Sequence, residues 1–188
     1  MKMKPMVKGI RAWARDIAFP FRMGAGFSGD VNRTHPAEIE PAQIDVSAPP
    51  TIYGEPVLVS AANAGVRPFA VGDAAVTKIF GVTVRPYPTQ QASATNFGAT
   101  GVGAATPPTS GVIDVLRAGL IMVKIPAGQV VAKGGAVFIR VQNAAADKPI
   151  GGFEGAADGG NTAALDTYLY QFNGPADAAG VAELSCNV

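Results

Sequence analysis

Apolar residues return at every second position in several short runs of the chain. Phe80, Val82 and Val84 alternate with Gly81, Thr83 and Arg85, and Pro86 and Pro88 follow at once. That pattern predicts a half-buried strand stopped by residues that lack a ladder donor. The stretch SGVIDVLRAGLIMVKIPAG predicts two strands, with Ile113, Val115 and Arg117 before Gly119 and Ile121, Val123 and Ile125 after it. Gly134-Gly135 predicts a hairpin turn between Gln129–Ala132 and Ala136–Val141. Tyr168, Tyr170 and Phe172 alternate with Leu169 and Gln171. At the C-terminal end Ala182, Leu184, Cys186 and Val188 share one predicted face, and Glu183, Ser185 and Asn187 the other. Short strands separated by turn signals predict an all-β body, an antiparallel sandwich or barrel of jelly-roll type.

One segment has the other period. Val7, Ile10, Trp13, Ala14 and Ile17 recur at three- and four-residue spacing, while Lys8, Arg11 and Arg15 fall in a different sector. With Pro5 near its start and Pro20 at its end, this predicts an N-terminal amphipathic helical arm. Between arm and body, Pro36, Pro41, Pro49, Pro50 and Pro56 keep the chain extended. Residues 86–111 form a long loop almost without charge, of a length usually functional or disordered. The organisation expected is a basic arm over residues 1–22, an extended strap over 23–56 and a β-rich body over 57–188.

Charge sharpens this division. The 188 residues carry a formal net charge of +1. Residues 1–22 hold Lys2, Lys4, Lys8, Arg11, Arg15 and Arg22 against Asp16 alone, so the arm stands at +5 and the remainder at −4. A basic arm on a mildly acidic body points to a partner that receives the arm. Charged residues make up only 15% of the chain, against about 25% in an average protein. Surface covered by small residues instead suits contact with another protein. Basic residues interrupt the arm's apolar positions, so it is not a secretory signal. No apolar run of about 18 residues exists, so no membrane span is expected. The arm's pattern fits docking on a partner protein, contact with a membrane surface or nucleic acid, or packing on its own body.

Candidate chemistry is sparse. GAGFSG, Gly24–Gly29, spells the dinucleotide fingerprint G-x-G-x-x-G. That loop works only where a strand delivers it and a helix opens at the third glycine. Here Pro20 precedes it, Pro36 and Pro41 follow, and no helical spacing appears between them. The match is coincidence. His35 is the one histidine, and it lies in a proline-flanked loop without any recognisable nucleophile motif. Cys186, the one cysteine, sits on an apolar face and reads as a buried thiol. No internal disulfide can form. Neither zinc nor calcium spacing is present. Asn32-Arg33-Thr34 is a formal glycosylation sequon, meaningful only in a secreted chain. No catalytic residue, cofactor or small-molecule substrate is expected.

The order of segments GAGFSGDVNRTHPAEIEP, VTVRPYPTQ, GVIDVLRAGLIMVKIPAG, KGGAVFIRV, KPIGGFEGAADGGNT and FNGPADAAGVAELSCNV resembles the structural cement proteins of tailed bacteriophages over about residues 19–188. The resemblance implies a small, non-enzymatic, β-rich protein. Such a protein sits on the outer surface of a capsid of the HK97-type fold and clamps neighbouring major capsid protein subunits once the shell has expanded. It implies a place in the virion, after assembly in the host bacterial cytoplasm, and a homo-dimer or homo-trimer. The residues expected to meet the capsid are Ile10, Trp13 and Ile17 of the arm with Arg11 and Arg15, and Phe19, Phe21, Phe27 and Arg33 of the strap. Two other readings stand beside it. Nucleic-acid binding through the arm would weaken steeply with salt, and a tail or receptor-binding protein would use the same kind of body.

Overall fold

The computed structural model describes residues 26–32, 36–73, 79–86 and 106–188. In chain order the strands are β1 (Glu38–Gln43), β2 (Pro56–Val59), β3 (Val66–Pro68), β4 (Ile79–Thr83), β5 (Val112–Lys124), β6 (Phe138–Arg140), β7 (Phe153–Glu154), β8 (Thr162–Ala164), β9 (Tyr170–Phe172) and β10 (Val181–Asn187). All their pairings are antiparallel. A single 3-10 turn, Gly159–Asn161, is the only helical element among the described residues, and no helix there is long and apolar enough to cross a membrane. The predicted helical arm lies outside the described residues.

The larger sheet runs β3-β2-β4-β5-β10-β9, with β1 also paired to β5; the smaller runs β7-β6-β8. One apolar core joins them. Val82, Leu116, Ile121, Val123 and Leu184 of the larger sheet pack with Ile139 and Phe153 of the smaller and with Val137 and Leu165 beside it. A second cluster of Ala42, Ile44, Tyr53, Val57, Val66, Ile113 and Val115 fills the other face of the larger sheet. Alternation therefore works on both faces of β5: Val115 serves one cluster and Leu116 the other. Residues 36–56, expected as a strap, supply β1 and the lead into β2.

Four strand expectations are corrected. The two strands around Gly119 are one strand of 13 residues. Gly119 has φ of +134°, a conformation that would strain another residue, and the ladder continues through it without a break. Gly134-Gly135 does turn the chain, with Gly135 N–H donating to Ala132 O at 2.9 Å. Its flanks are not a hairpin, however. Gly134 N–H donates to Phe172 O and Phe172 N–H to Gly135 O, so the turn caps β9 instead. Tyr168 lies before β9 and is 92% exposed. On β10, Glu183 is buried because both faces of this strand are covered, while Val188 lies past the strand's end and is exposed. Cys186 is buried as expected, and burial pushes its thiol up to about 12.

The smaller sheet is pinned by charge. Arg140 and Glu154 are both buried and meet at 2.6 Å through Nε and Oε1. The guanidinium also donates to Asp158 Oδ2 at 2.6 Å and to the Asn143 carbonyl at 3.2 Å. Glu154 accepts a further hydrogen bond from Gln129 Nε2 at 2.7 Å. Removing one member leaves the other charged and poorly solvated. Glu154→Ala is expected to cost about 3 kcal/mol, read as a lower urea midpoint with an unchanged slope. Arg140 holds the Asp158 carboxyl below its usual range, and hydrogen bonds from Ser47, Ser60 and Asn63 do the same for Asp45. Carboxyls depressed in the folded state stabilise it above their unfolded pKa, and that contribution is lost as pH falls. Burial raises Glu55 and works in the opposite direction. Acid unfolding below the ordinary carboxylate range is therefore expected, with a shallower acid limb in Asp158→Asn.

Candidate functional site

Residues 26–31 pass across the body as a stitched crossing. Phe27 and Asp30 close a turn: Asp30 N–H donates to Phe27 O at 3.0 Å, and Phe27 N–H to Asp30 Oδ2 at 2.9 Å. The next bonds are long-range. Gly29 N–H donates to Met122 O at 2.7 Å, Met122 N–H to Asp30 O at 2.9 Å, and Arg85 N–H to Gly29 O at 2.8 Å. Ser28 Oγ accepts from Lys124 N–H at 3.2 Å. One short piece of chain is thereby bonded to β5 and to the residues just past β4.

Glycine makes that approach possible. Gly29 has φ of +89°, and a Cβ there would stand 2.6 Å from Tyr53 Cβ. Gly54 faces it, and a Cβ on Gly54 would stand 2.7 Å from Gly29 N. The freedom of Gly29 is spent against this chain's own body. Gly24 lies outside the described residues.

The crossing sets the position of Phe27, which is 67% exposed. Its ring lies under the Arg85 guanidinium, 4.4 Å from Cζ to the ring centroid. Arg85 in turn approaches Asp30 Oδ1 at 3.6 Å. A cation–π contact at such a site contributes roughly 0.5–1 kcal/mol, enough to bias the ring's orientation. The result is an exposed aromatic whose backbone and side chain are both held before any partner arrives.

Of the residues expected to meet a capsid, only Phe27 is described. Ile10, Arg11, Trp13, Arg15, Ile17, Phe19, Phe21 and Arg33 lie outside the described residues. Sequence reasoning missed Arg85 and Asp30. Arg85 stood only as the last alternating position before Pro86, and nothing local pairs it with residue 27. A related contact, Arg117 over Phe80 at 4.2 Å, lies on the larger sheet.

Other features are tied into the structure itself. A shallow depression of about 430 Å³ lies between Pro126–Val131 and Pro175–Gly180. Its Lys124 donates to the Ala179 carbonyl, and its Asp177 accepts from the Ala179 and Val181 amides. Among the described residues no three His, Cys, Asp or Glu side chains gather as a metal site.

The family match places this almost entirely β body in a class of phage capsid-associated structural proteins. The chain is a member of the XM1 gp53 minor capsid protein family, whose profile matches residues 18–186. It is also similar to a chain in the capsid of Myoviridae Phage XM1, with a TM-score of 0.64 and 17% identity. That likeness covers 88% of this chain and 92% of the other, and at this identity it speaks to the fold. No curated protein matches the chain.

Replacing Gly29 by Val meets both the positive φ and the Tyr53 contact, so the crossing is expected to release. Amide exchange at Met122 and Arg85 should then quicken while the core amides of β10 stay protected. Equal protection of Met122 in both proteins would show that the crossing does not depend on this residue.

Proposed function

We propose that this chain is a cement protein. It binds the outer surface of a phage shell of the HK97-type fold and clamps neighbouring major capsid protein subunits, stabilising the expanded shell. The protein would act in the virion as a homo-dimer or homo-trimer, after assembly in the bacterial cytoplasm. Family membership supports the capsid role. The observation that carries the clamp is the crossing at Gly29, which fixes the root of a +5 arm beside a preset Phe27.

A clamp needs contact area spread over subunit junctions more than a deep pocket. Weak contacts repeated at each lattice position become strong together. In this reading Ile10, Trp13, Ile17, Phe19, Phe21 and Phe27 supply apolar anchors, and Arg11, Arg15 and Arg33 supply charge that steers the approach.

The test uses expanded shells assembled without this chain. The full chain is expected to co-sediment in a fixed ratio to the shell protein and to raise the temperature at which the shells release DNA. Deleting residues 1–22 should weaken binding at least tenfold, and Phe27→Ala should cost about 1–2 kcal/mol of affinity. If the deleted chain binds as tightly as the full one, the arm has no part in the clamp.

A further inference from the structure

We infer that the cavity lined by Glu55, beside the Gly29 crossing, receives the ammonium group of a lysine of the shell protein. This rests on the cement reading and deepens it by naming the chemistry of one contact.

Glu55 is held by its main chain and left without a cation. Its N–H donates to Thr83 Oγ1 at 3.2 Å, and its carbonyl accepts from Thr83 N–H at 3.0 Å. The side chain turns back to the preceding loop, where Oε1 accepts from Thr51 N–H at 2.8 Å and Ile52 N–H at 3.3 Å. Among the described residues no hydrogen bond or ion pair reaches Oε2. The residue is only 7% exposed. A carboxylate withdrawn from water costs stability unless a charge partner compensates it. Here burial outweighs the two amides and raises the carboxyl above its usual range. A desolvated acid in a cleft without its counter-charge marks a functional site.

Size and charge select the occupant. The cavity holds about 40 Å³, and one water needs roughly 10–15 Å³ of such space, so an ammonium head and the end of its stem fit. Buried Ile125 and Phe153 line it, and exposed Ile52 marks its opening. Apolar walls suit the methylene stem of a lysine and the carboxylate suits its head. A guanidinium is broader and seeks two acceptors side by side, whereas Glu55 keeps one oxygen free. The other charges of the cavity are engaged or in water. Lys124 donates to the Ala179 carbonyl. Lys148 stands 3.9 Å from Glu154 Oε2, and Glu154 is paired with Arg140. Asp147 is exposed and adds negative charge on the solvent side.

Position selects the shell as the source. Ser28 and Gly54 line the same cavity, and Ser28 follows the exposed Phe27 directly in the crossing. A surface that meets Phe27 therefore meets the cavity in the same approach. Anchor and counter-charge stand side by side, an aromatic for area and a buried acid for one specific cation.

The experiment has two parts, both on the full-length chain. In the first, n-butylammonium chloride, a lysine side chain without its backbone, is titrated while the amide resonances of Thr51 and Ile52 are followed. Saturable shifts are expected in the wild type and none in Glu55→Gln, with tetramethylammonium, which has no N–H, as the control. A wild type without such shifts overturns the inference. In the second, expanded shells carrying bound chain are treated with acetic anhydride. The wild type is expected to shield one shell lysine. Glu55→Gln is expected to bind at least tenfold more weakly and to leave that lysine reactive. Equal binding by the two chains, or shielding confined to this chain's own lysines, overturns the inference. Urea unfolding separates the role from a structural one. Loss of an uncompensated buried charge is expected to leave the midpoint unchanged or raised, and a lowered midpoint would mark a structural carboxylate and overturn the inference. A wild type that fails to co-sediment sinks the cement reading and with it the shell as the source of the lysine. The n-butylammonium titration still decides whether the cavity takes an ammonium.

Discussion

Main-chain hydrogen bonding along β5 is the constraint on which the rest depends. Thirteen residues of one strand serve β1 in the first half and β10 in the second, with β4 alongside Val115 and Leu116. A strand buried on both faces must satisfy every amide through neighbours, since water cannot reach it. That demand is met partly by ordinary strands and partly by the crossing at Gly29 and Asp30, which completes the bonding of Met122. A segment that reads as loose strap is thus drawn into the ladder by an unpaired position on the central strand.

The smaller sheet shows a different solution. Its strands are two or three residues long, too short to hold together by ladder bonds alone. Arg140 compensates by joining β6 to β7 through Glu154 and to the following loop through Asp158. Such a buried pair stabilises little beyond what an apolar substitute would. Its geometric demand fixes how the short strands sit. Charge gives register here where length does not.

The class of fold was legible in the sequence because Val82, Val84, Ile113, Val115, Ile121, Val123, Leu184 and Cys186, read as the apolar side of strands, are buried. That Thr83, Leu116 and Glu183 between them are buried as well was not legible. The buried thiol of Cys186 followed from the same pattern. What failed was everything decided by distant partners. Gly119 looked like a break because a positive φ inside a continuous strand leaves the same mark as a turn. Gly134-Gly135 looked like a hairpin because glycines announce a turn without saying which strand it will cap. Of the candidate site, Phe27 could be named from its place in an apolar series. Its support from Arg85 and Asp30 could not, since 55 positions separate Arg85 from Asp30 and no local pattern encodes their meeting.

The crossing at Gly29 also has a mechanical side. A pull on the arm enters the body at Gly26 and is divided within four residues between β5 and the end of β4, through bonds to Met122 and Arg85. The load is shared by two strands before it reaches any loop, and both are rooted in the common core. In the cement reading proposed above, a shell swelling under pressure would strain a spliced joint, in which several bonds must yield together, and not a free end that peels one bond at a time.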